Sequence, residues 1–244
     1  MIDIVAAEYI KYKKTFTRKL IILAPIVTIL SAMCTPWKFI IQQTYNFWPV
    51  IFCPLVIALF ASLTGMQEKR TGNYRNLLIH NVSPARVWIG KIIVMAINLL
   101  YTCLILMFLL LAACVVLLHG KNIPLPKVIL CPIYLWIASL TLIPIQLWAA
   151  TWKGVLPSMG LGFAGLLAGA MAASKASLWM FIPWSYPTRI ICPIFGIGPN
   201  ALPLKAGDSL SYPVVVSSGL ALSMLTFVIF TAITTLWFAK REAK

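Results

Sequence analysis

The chain has 244 residues, of which 61% are hydrophobic and 10% are charged, and its formal net charge is +15. Soluble domains carry about 25% charged residues, so this composition excludes an ordinary soluble protein and indicates an integral membrane protein. The positive charge does not indicate nucleic-acid binding, because Lys and Arg lie mostly in short segments beside apolar runs, the pattern that sets membrane orientation.

The first 19 residues combine apolar positions at helical spacing with a basic cluster that begins at Lys11. This pattern predicts an amphipathic helix on the inner leaflet, where its cations meet anionic headgroups. A charged flank that only fixes the topology is the simpler alternative. Both interpretations place the N-terminus in the cytoplasm.

Apolar segments predict six transmembrane helices, at about 20–35, 49–66, 89–118, 128–152, 155–173 and 212–239. The aromatic-rich stretch 36–48 suits an interfacial loop on the outer face. Residues 174–212 are apolar but contain five prolines, which favours short or re-entrant helices on the outer face over a regular span. The fold class is therefore an all-α membrane protein with one domain, residues 1–244.

The distribution of positive charge tests this topology. Fourteen of the twenty cations fall on the proposed inner side, and the remaining six are Lys38, Lys121, Lys127, Lys175, Arg189 and Lys205. This skew agrees with six spans and with both termini inside.

The fifth segment is rich in small residues and contains a GxxxG pair, Gly165 and Gly169. Such pairs let helix backbones approach closely, so we interpret it as a helix-packing face. Its partner lies either within the subunit or in a second subunit.

The sequence offers no catalytic constellation. The proposed spans contain no Asp or Glu, and the sequence has no HExxH and no P-loop. We therefore expect no enzyme activity, no metal site and no bound cofactor in this chain. The six cysteines are expected to be buried thiols, although a disulfide between Cys34 and Cys192 stays open.

The polar stretch 67–88 is the long charged interruption between two apolar spans. It resembles the first cytoplasmic loop of ABC-2-type transporter permeases, in which a Glu, a basic residue and a following Gly lead into a short coupling helix. The matching residues are Glu68-Lys69-Arg70-Thr71-Gly72, Leu77-Leu78, Ser83-Pro84 and Gly90-Lys91.

Two further stretches are similar to the permeases of lantibiotic self-immunity transporters. They are Ala7-Glu8-Tyr9-Ile10-Lys11-Tyr12-Lys13-Lys14-Thr15, at the start of the chain, and Ile182-Pro183-Trp184-Ser185-Tyr186-Pro187, before the last span. The resemblance covers nearly the whole length of the chain.

The resemblance implies a type V exporter-like permease in the plasma membrane of a Gram-positive bacterium. It further implies two copies of a separate ABC ATPase, which bind ATP and magnesium, and a second permease subunit, either identical or homologous. The expected cargo is an antimicrobial peptide of the lantibiotic type, taken from membrane lipid.

In this interpretation the helix within 67–88 is a lever on the second and third spans. Gly72 allows the tight turn, Leu77 and Leu78 enter a groove on the ATPase, and Glu68, Arg70 and Arg75 pair with its surface. A loop that only solvates charges and anchors the topology is the alternative.

For substrate contact we expect outer-face aromatics that could stack on a cationic peptide: Trp37, Trp48, Trp179, Trp184 and Tyr186. Ordinary interfacial anchoring is the alternative role for these rings. For the whole chain, a permease with another cargo (a bacitracin-like peptide, a lipid or sodium) and a non-transporting scaffold also stay open.

Overall fold

The computed structural model of the protein describes residues 1–13, 16–70, 83–121, 123–175, 177–205 and 207–242. Its helices, numbered in chain order, are α1 (Ile2–Lys13), α2 (Phe16–Met33), α3 (Ile40–Phe47), α4 (Cys53–Arg70), α5 (Pro84–Leu118), α6 (Leu125–Ser139), α7 (Leu142–Lys153), α8 (Val155–Ala173), α9 (Tyr186–Phe195) and α10 (Val214–Glu242). Shorter helical turns cover Trp37–Phe39, Trp48–Phe52, Leu178–Phe181, Pro183–Ser185 and Ser209–Ser211.

Within the described ranges, five helical stretches are long and apolar enough to cross a membrane: Phe16–Met33, Trp37–Glu68, Pro84–Leu118, Val155–Ala173 and Val214–Arg241. The pair α6 and α7, bent by 44°, makes a sixth when it is counted as one span. This all-helical arrangement confirms the predicted fold class.

The bundle has two distinct ends. At one end, which we call the α1 end, α1 packs on α5, and the C-terminal part of α10 approaches α7 through a hydrogen bond from Arg241 to the carbonyl of Thr151 (3.1 Å). At the opposite end, the α9 end, Tyr45 of α3 donates to the carbonyl of Val128 (2.8 Å) and stacks on Phe195 of α9.

Residues 37–47 are helical, which corrects the predicted interfacial loop. A 3-10 turn at Trp37–Phe39 leads into α3, and a π-helical turn at Trp48–Phe52 leads on into α4. One side of α3 buries Ile40, Ile41 and Tyr45 in the main core. The burial of this apolar face stabilises the helix where sequence composition alone suggested a loop.

The fourth span is broken near its middle, between α6 and α7. The break falls at Leu140 and Thr141. Leu140 is four residues before Pro144, and a proline nitrogen has no hydrogen to donate to the carbonyl of residue 140. The amide of Ile143 donates to the carbonyl of Leu140 instead (3.1 Å), and the hydroxyl of Thr141 donates to the carbonyl of Ser223 on α10 (2.8 Å). Pro144 therefore marks the bend of this span, whereas Pro132 lies inside α6.

The described residues between α8 and α10 form short elements, as the prolines predicted: three 3-10 turns, the ten-residue α9 and an isolated bridge between Ile197 and Pro203. Arg189, which we expected as an outer-face cation, is only 2% exposed. Its guanidinium donates to the carbonyl of Ser209 (3.2 Å) and lies 5.9 Å from the ring centroid of Trp179.

Candidate functional site

Four charged side chains meet at the α1 end and form what we call the ion cluster: Glu8, Lys11, Glu68 and Lys91. Glu8 and Lys11 lie one helical turn apart on α1, Glu68 lies in the last turn of α4, and Lys91 lies in the second turn of α5. The cluster therefore joins three helices that are separated in sequence.

Each carboxylate of the ion cluster contacts both ammonium groups. Lys91 Nζ lies 2.7 Å from Glu8 Oε2 and 2.5 Å from Glu68 Oε1. Lys11 Nζ lies 2.8 Å from Glu8 Oε1 and 2.9 Å from Glu68 Oε1. The four formal charges cancel, and the contacts close into a ring.

The ion cluster is largely removed from solvent. Lys91 is 0% exposed, Glu8 4% and Glu68 7%, whereas the side chain of Lys11 is 38% exposed. Burial disfavours the charged form of Lys11, but Glu8 and Glu68 outweigh this effect and raise the pKa of Lys11 above its ordinary value of 10.5. An ammonium as buried as that of Lys91 is tolerated only when it is paired.

Further contacts hold α1 in place beside the ion cluster. The hydroxyls of Tyr12 and Thr64 share a hydrogen bond between α1 and α4, and Gln67 donates to the carbonyl of Lys11 (3.3 Å). Gly90 lets α5 approach closely, because a Cβ there would lie 3.0 Å from Cγ2 of Ile4.

The predicted orientation of α1 is corrected by these contacts. We expected its cations to meet headgroups, but Lys11 pairs with Glu8 and Glu68, and Ile2 and Ile10 are exposed while Tyr12 faces the bundle. The reason is that the facing helices carry polar partners for these side chains: Thr64 on α4 contacts Tyr12, and Lys91 on α5 contacts Glu8. Apolar residues are thereby left on the outer surface of α1, where a membrane surface could cover them.

The coupling residues predicted from the resemblance are only partly visible. Glu68 points into the ion cluster, where Lys91 and Lys11 contact its carboxylate, and its pairing with an ATPase stays a prediction. Gly72, Arg75, Leu77 and Leu78, together with the side chain of Arg70, lie outside the described residues.

The aromatic residues expected to contact substrate divide into two groups. Trp48, Trp179 and Tyr186 are buried, so their rings pack inside the subunit, and the peptide contact expected of them would need a rearrangement. Trp37 is 56% exposed, and Trp184 is half-buried.

The glycine pair of α8 packs within the subunit. A Cβ at Gly165 would overlap the indole ring of Trp184, and a Cβ at Gly169 would lie 2.7 Å from Cβ of Trp184. The partner is thus the 3-10 turn Pro183–Ser185, and the expected helix–helix contact is corrected to a helix–indole contact. Nearby, the hydroxyl of Ser158 lies 3.1 Å from the side-chain amide of the buried Gln146.

All six cysteines are free thiols, and Cys34 is exposed while the other five are buried. The disulfide that the sequence left open is therefore absent, since Cys192 lies in the core and Cys34 at the surface of the α9 end.

Sequence reasoning did not find Glu8 and Lys91 as partners of Glu68. A signal was available: only five acidic residues occur in the chain, and both Glu8 and Glu68 lie within three residues of a lysine at the inner end of an apolar segment. The pairing itself needs the tertiary arrangement, because residues 8, 68 and 91 are far apart in sequence.

Comparisons with known proteins place this arrangement in a family. The sequence model described as ABC-2 family transporter protein matches residues 4–169, about two thirds of the chain. The match includes the whole ion cluster and helices α2 to α7. No curated protein and no solved structure matches the chain. The chain therefore belongs to the ABC-2 transporter family, as a multi-pass membrane permease that works with the ATPase of an ABC transporter.

Proposed function

We propose that this permease expels a lantibiotic-type antimicrobial peptide from the bacterial membrane, and that the work of ATP hydrolysis enters through residues 67–88. The cargo part is supported by the resemblance of residues 7–15 and 182–187 to lantibiotic self-immunity permeases. The skew of Lys and Arg supports a cytoplasmic α1 end, where a soluble ATPase could bind.

The ion cluster is the observation that carries the coupling part. Residues 71–82 connect α4 to α5, and the cluster ties the adjoining ends of both helices to α1 through Glu68, Lys91 and Glu8. A force applied to the connection would move these three helix ends as one body. Separate movement would leave buried charges without partners, which is costly in an apolar surrounding.

The proposed partners are those that membership of the family implies. Two copies of the ATPase supply the force, and a second permease, identical or homologous, completes the translocation path. Leu77 and Leu78 would enter a groove on the ATPase, and Arg75 would pair with its surface. For the peptide, Trp37 and Trp184 are the remaining contact candidates, because both have exposed area near the α9 end.

Coupling is tested by replacing Leu77 and Leu78 with Asp in a strain that expresses the chain with its neighbouring ATPase and permease. We expect the ATPase to stop co-purifying with the membrane subunit and peptide resistance to fall. Leu202→Asp is the matched control, since Leu202 is exposed at the α9 end. Retention of both the ATPase and resistance in the double variant would refute the lever.

Cargo is tested separately, by measuring the survival of a sensitive host that carries the complete transporter across a panel of membrane-active peptides. We expect protection against lantibiotics. Protection only against bacitracin-like peptides, or against none of the peptides, would refute the cargo assignment while leaving the coupling result intact.

A further inference from the structure

A cavity of about 230 Å³ opens at the α1 end between α1, α2 and α5. Tyr9, Tyr12, Arg18, Asn98 and Tyr101 contribute polar groups to its lining, and Ile21, Ile22 and Ile105 contribute apolar ones. Among the described residues that line the cavity, none is acidic. We refer to it as the α1 cavity.

Asn98 is the most informative residue of the α1 cavity. It is 3% exposed, and its Nδ2 has no hydrogen-bond partner among the described residues. A buried amide donor without an acceptor is costly and rare in folded proteins. Since Asn98 lines the cavity, the donor suits an acceptor oxygen of a molecule that enters there.

Arg18 supplies a charge beside this donor. It lies in the first turn of α2 and is exposed. Among the described residues it forms no ion pair. A guanidinium binds phosphate oxygens in a bidentate manner. The exposed rings of Tyr9 and Tyr101 stand beside it, as is common at the boundary between apolar chains and water.

The size and position of the α1 cavity narrow the class of ligand. Sites for drug-sized molecules usually occupy about 300–1,000 Å³, so this cavity holds only one part of a larger molecule. Arg18 marks the start of a membrane-spanning helix, which places the cavity at headgroup level, and Ile22 and Ile105 continue from it along the apolar part of the bundle. A polar, negatively charged head with an apolar chain fits this layout.

We propose that the α1 cavity binds the headgroup of an anionic phospholipid from the leaflet at the α1 end. Arg18 pairs with the phosphate, Asn98 donates to an ester or phosphate oxygen, and an acyl chain lies along Ile22 and Ile105. Because Tyr9 belongs to the same helix as Glu8 and Lys11, the lipid also holds α1 against α2 and α5. This site is independent of the peptide cargo.

The test measures equilibrium binding of a fluorescent phosphatidylglycerol to the purified full chain in a neutral detergent. Unlabelled phosphatidylglycerol, phosphatidylcholine and glycerol 1-phosphate are used as competitors. We expect phosphatidylglycerol to compete roughly tenfold better than phosphatidylcholine and glycerol 1-phosphate not to compete. Equal competition by the two lipids, or strong competition by glycerol 1-phosphate, would overturn the proposal.

Two variants locate the site. Arg18→Gln should weaken phosphatidylglycerol binding roughly tenfold, whereas Lys19→Gln, which removes a neighbouring exposed cation outside the cavity lining, should leave binding unchanged. Equal losses in the two variants would mean diffuse attraction to a basic surface and would refute the site.

Asn98→Leu separates binding from folding. The apolar side chain of similar size removes the unpartnered donor, so the lipid-free protein should unfold at an equal or higher temperature, while its stabilisation by added phosphatidylglycerol should decrease. If phosphatidylglycerol stabilises the variant as much as the native chain, Asn98 does not contribute to the lipid site.

Discussion

At the scale of single residues, the ion cluster explains how a fully buried lysine can persist in a membrane protein. Lys91 contacts Glu8 and Glu68 at 2.7 and 2.5 Å, so its charge is matched on two sides by carboxylates that belong to different helices. Because an unpaired charge in such a place is strongly destabilising, the cluster constrains how α1, α4 and α5 can move relative to one another.

Removing one buried partner should therefore cost more than removing a matched pair. We expect Lys91→Met alone to lower the free energy of unfolding by about 3–5 kcal/mol, because Glu8 and Glu68 then lose the buried ammonium that both of them contact. The double variant Lys91→Met with Glu68→Gln should recover much of that loss. Denaturant titration of the purified chain in detergent micelles measures both, and strictly additive losses would contradict the coupling.

The raised pKa of Lys11 predicts a pH dependence at the high end. A group whose pKa is higher in the folded state stabilises the fold below its unfolded value of about 10.5 and loses this effect as the pH rises through the folded value. The stability difference between the native chain and Lys11→Gln should thus be constant from about pH 7 to pH 10 and shrink above it. A difference that vanished already near neutral pH would contradict this.

At the scale of elements, α8 shows how small residues define the packing of a helix on its neighbours. A Cβ at Gly162 would lie 2.7 Å from Cβ of Ala58 on α4, and Gly165 and Gly169 contact Trp184. One glycine-lined face of α8 therefore receives both α4 and the turn that precedes α9. Close approach of this kind is what small residues permit in membrane proteins.

The glycine face predicts a contrast between two substitutions in α8. Gly165→Ala should destabilise the protein by about 1–3 kcal/mol, because the added methyl overlaps the ring of Trp184. Gly160→Ala should be neutral or stabilising, since a Cβ at Gly160 meets nothing within 4 Å and alanine favours the helix.

Both glycine variants are compared by thermal unfolding in detergent. Combining Gly165→Ala with Trp184→Leu should restore part of the loss, because the smaller side chain leaves room for the methyl group. If Gly165→Ala is as harmless as Gly160→Ala, the indole does not occupy this face in the membrane.

At the scale of the whole molecule, the two ends of the bundle differ in chemistry. The α1 end holds the ion cluster, the α1 cavity and the helix ends that flank residues 71–82. The α9 end holds α3, α9 and the short turns around them, with Arg189 buried among backbone carbonyls. The proposed transporter needs the first end to face the ATPase and the second to face the outside of the cell.

This orientation can be measured with a membrane-impermeant maleimide on intact cells. Cys34 is the exposed native thiol and lies near the α9 end, so it should be labelled without permeabilisation, and Cys34→Ser should abolish the signal. In that background Ser83→Cys, an exposed position at the start of α5, should be labelled only after permeabilisation. The reverse pattern would show that the α1 end faces the outside of the cell, where residues 67–88 could not contact a cytoplasmic ATPase.

Local sequence patterns suffice to predict the class of the protein and the approximate positions of its spans. Long apolar runs cannot leave their backbone groups unpaired in lipid and so must form helices, and prolines interrupt those helices at positions such as Pro144 and throughout 174–212. The order of motifs in 67–91 also indicates the ABC-2 family without any knowledge of helix packing. These features are local, and local sequence decides them.

Which polar and aromatic side chains face inward depends on how the helices pack, and local patterns did not predict it. Glu68 seemed available to a partner protein, and Trp48, Trp179 and Tyr186 seemed available to a peptide, yet all four are buried. Burial depends on which helices become neighbours, and a charge such as Glu68 turns inward when residues as distant as Glu8 and Lys91 arrive at the same height. Such pairings depend on the packing of three helices, which the spacing within any one of them does not specify.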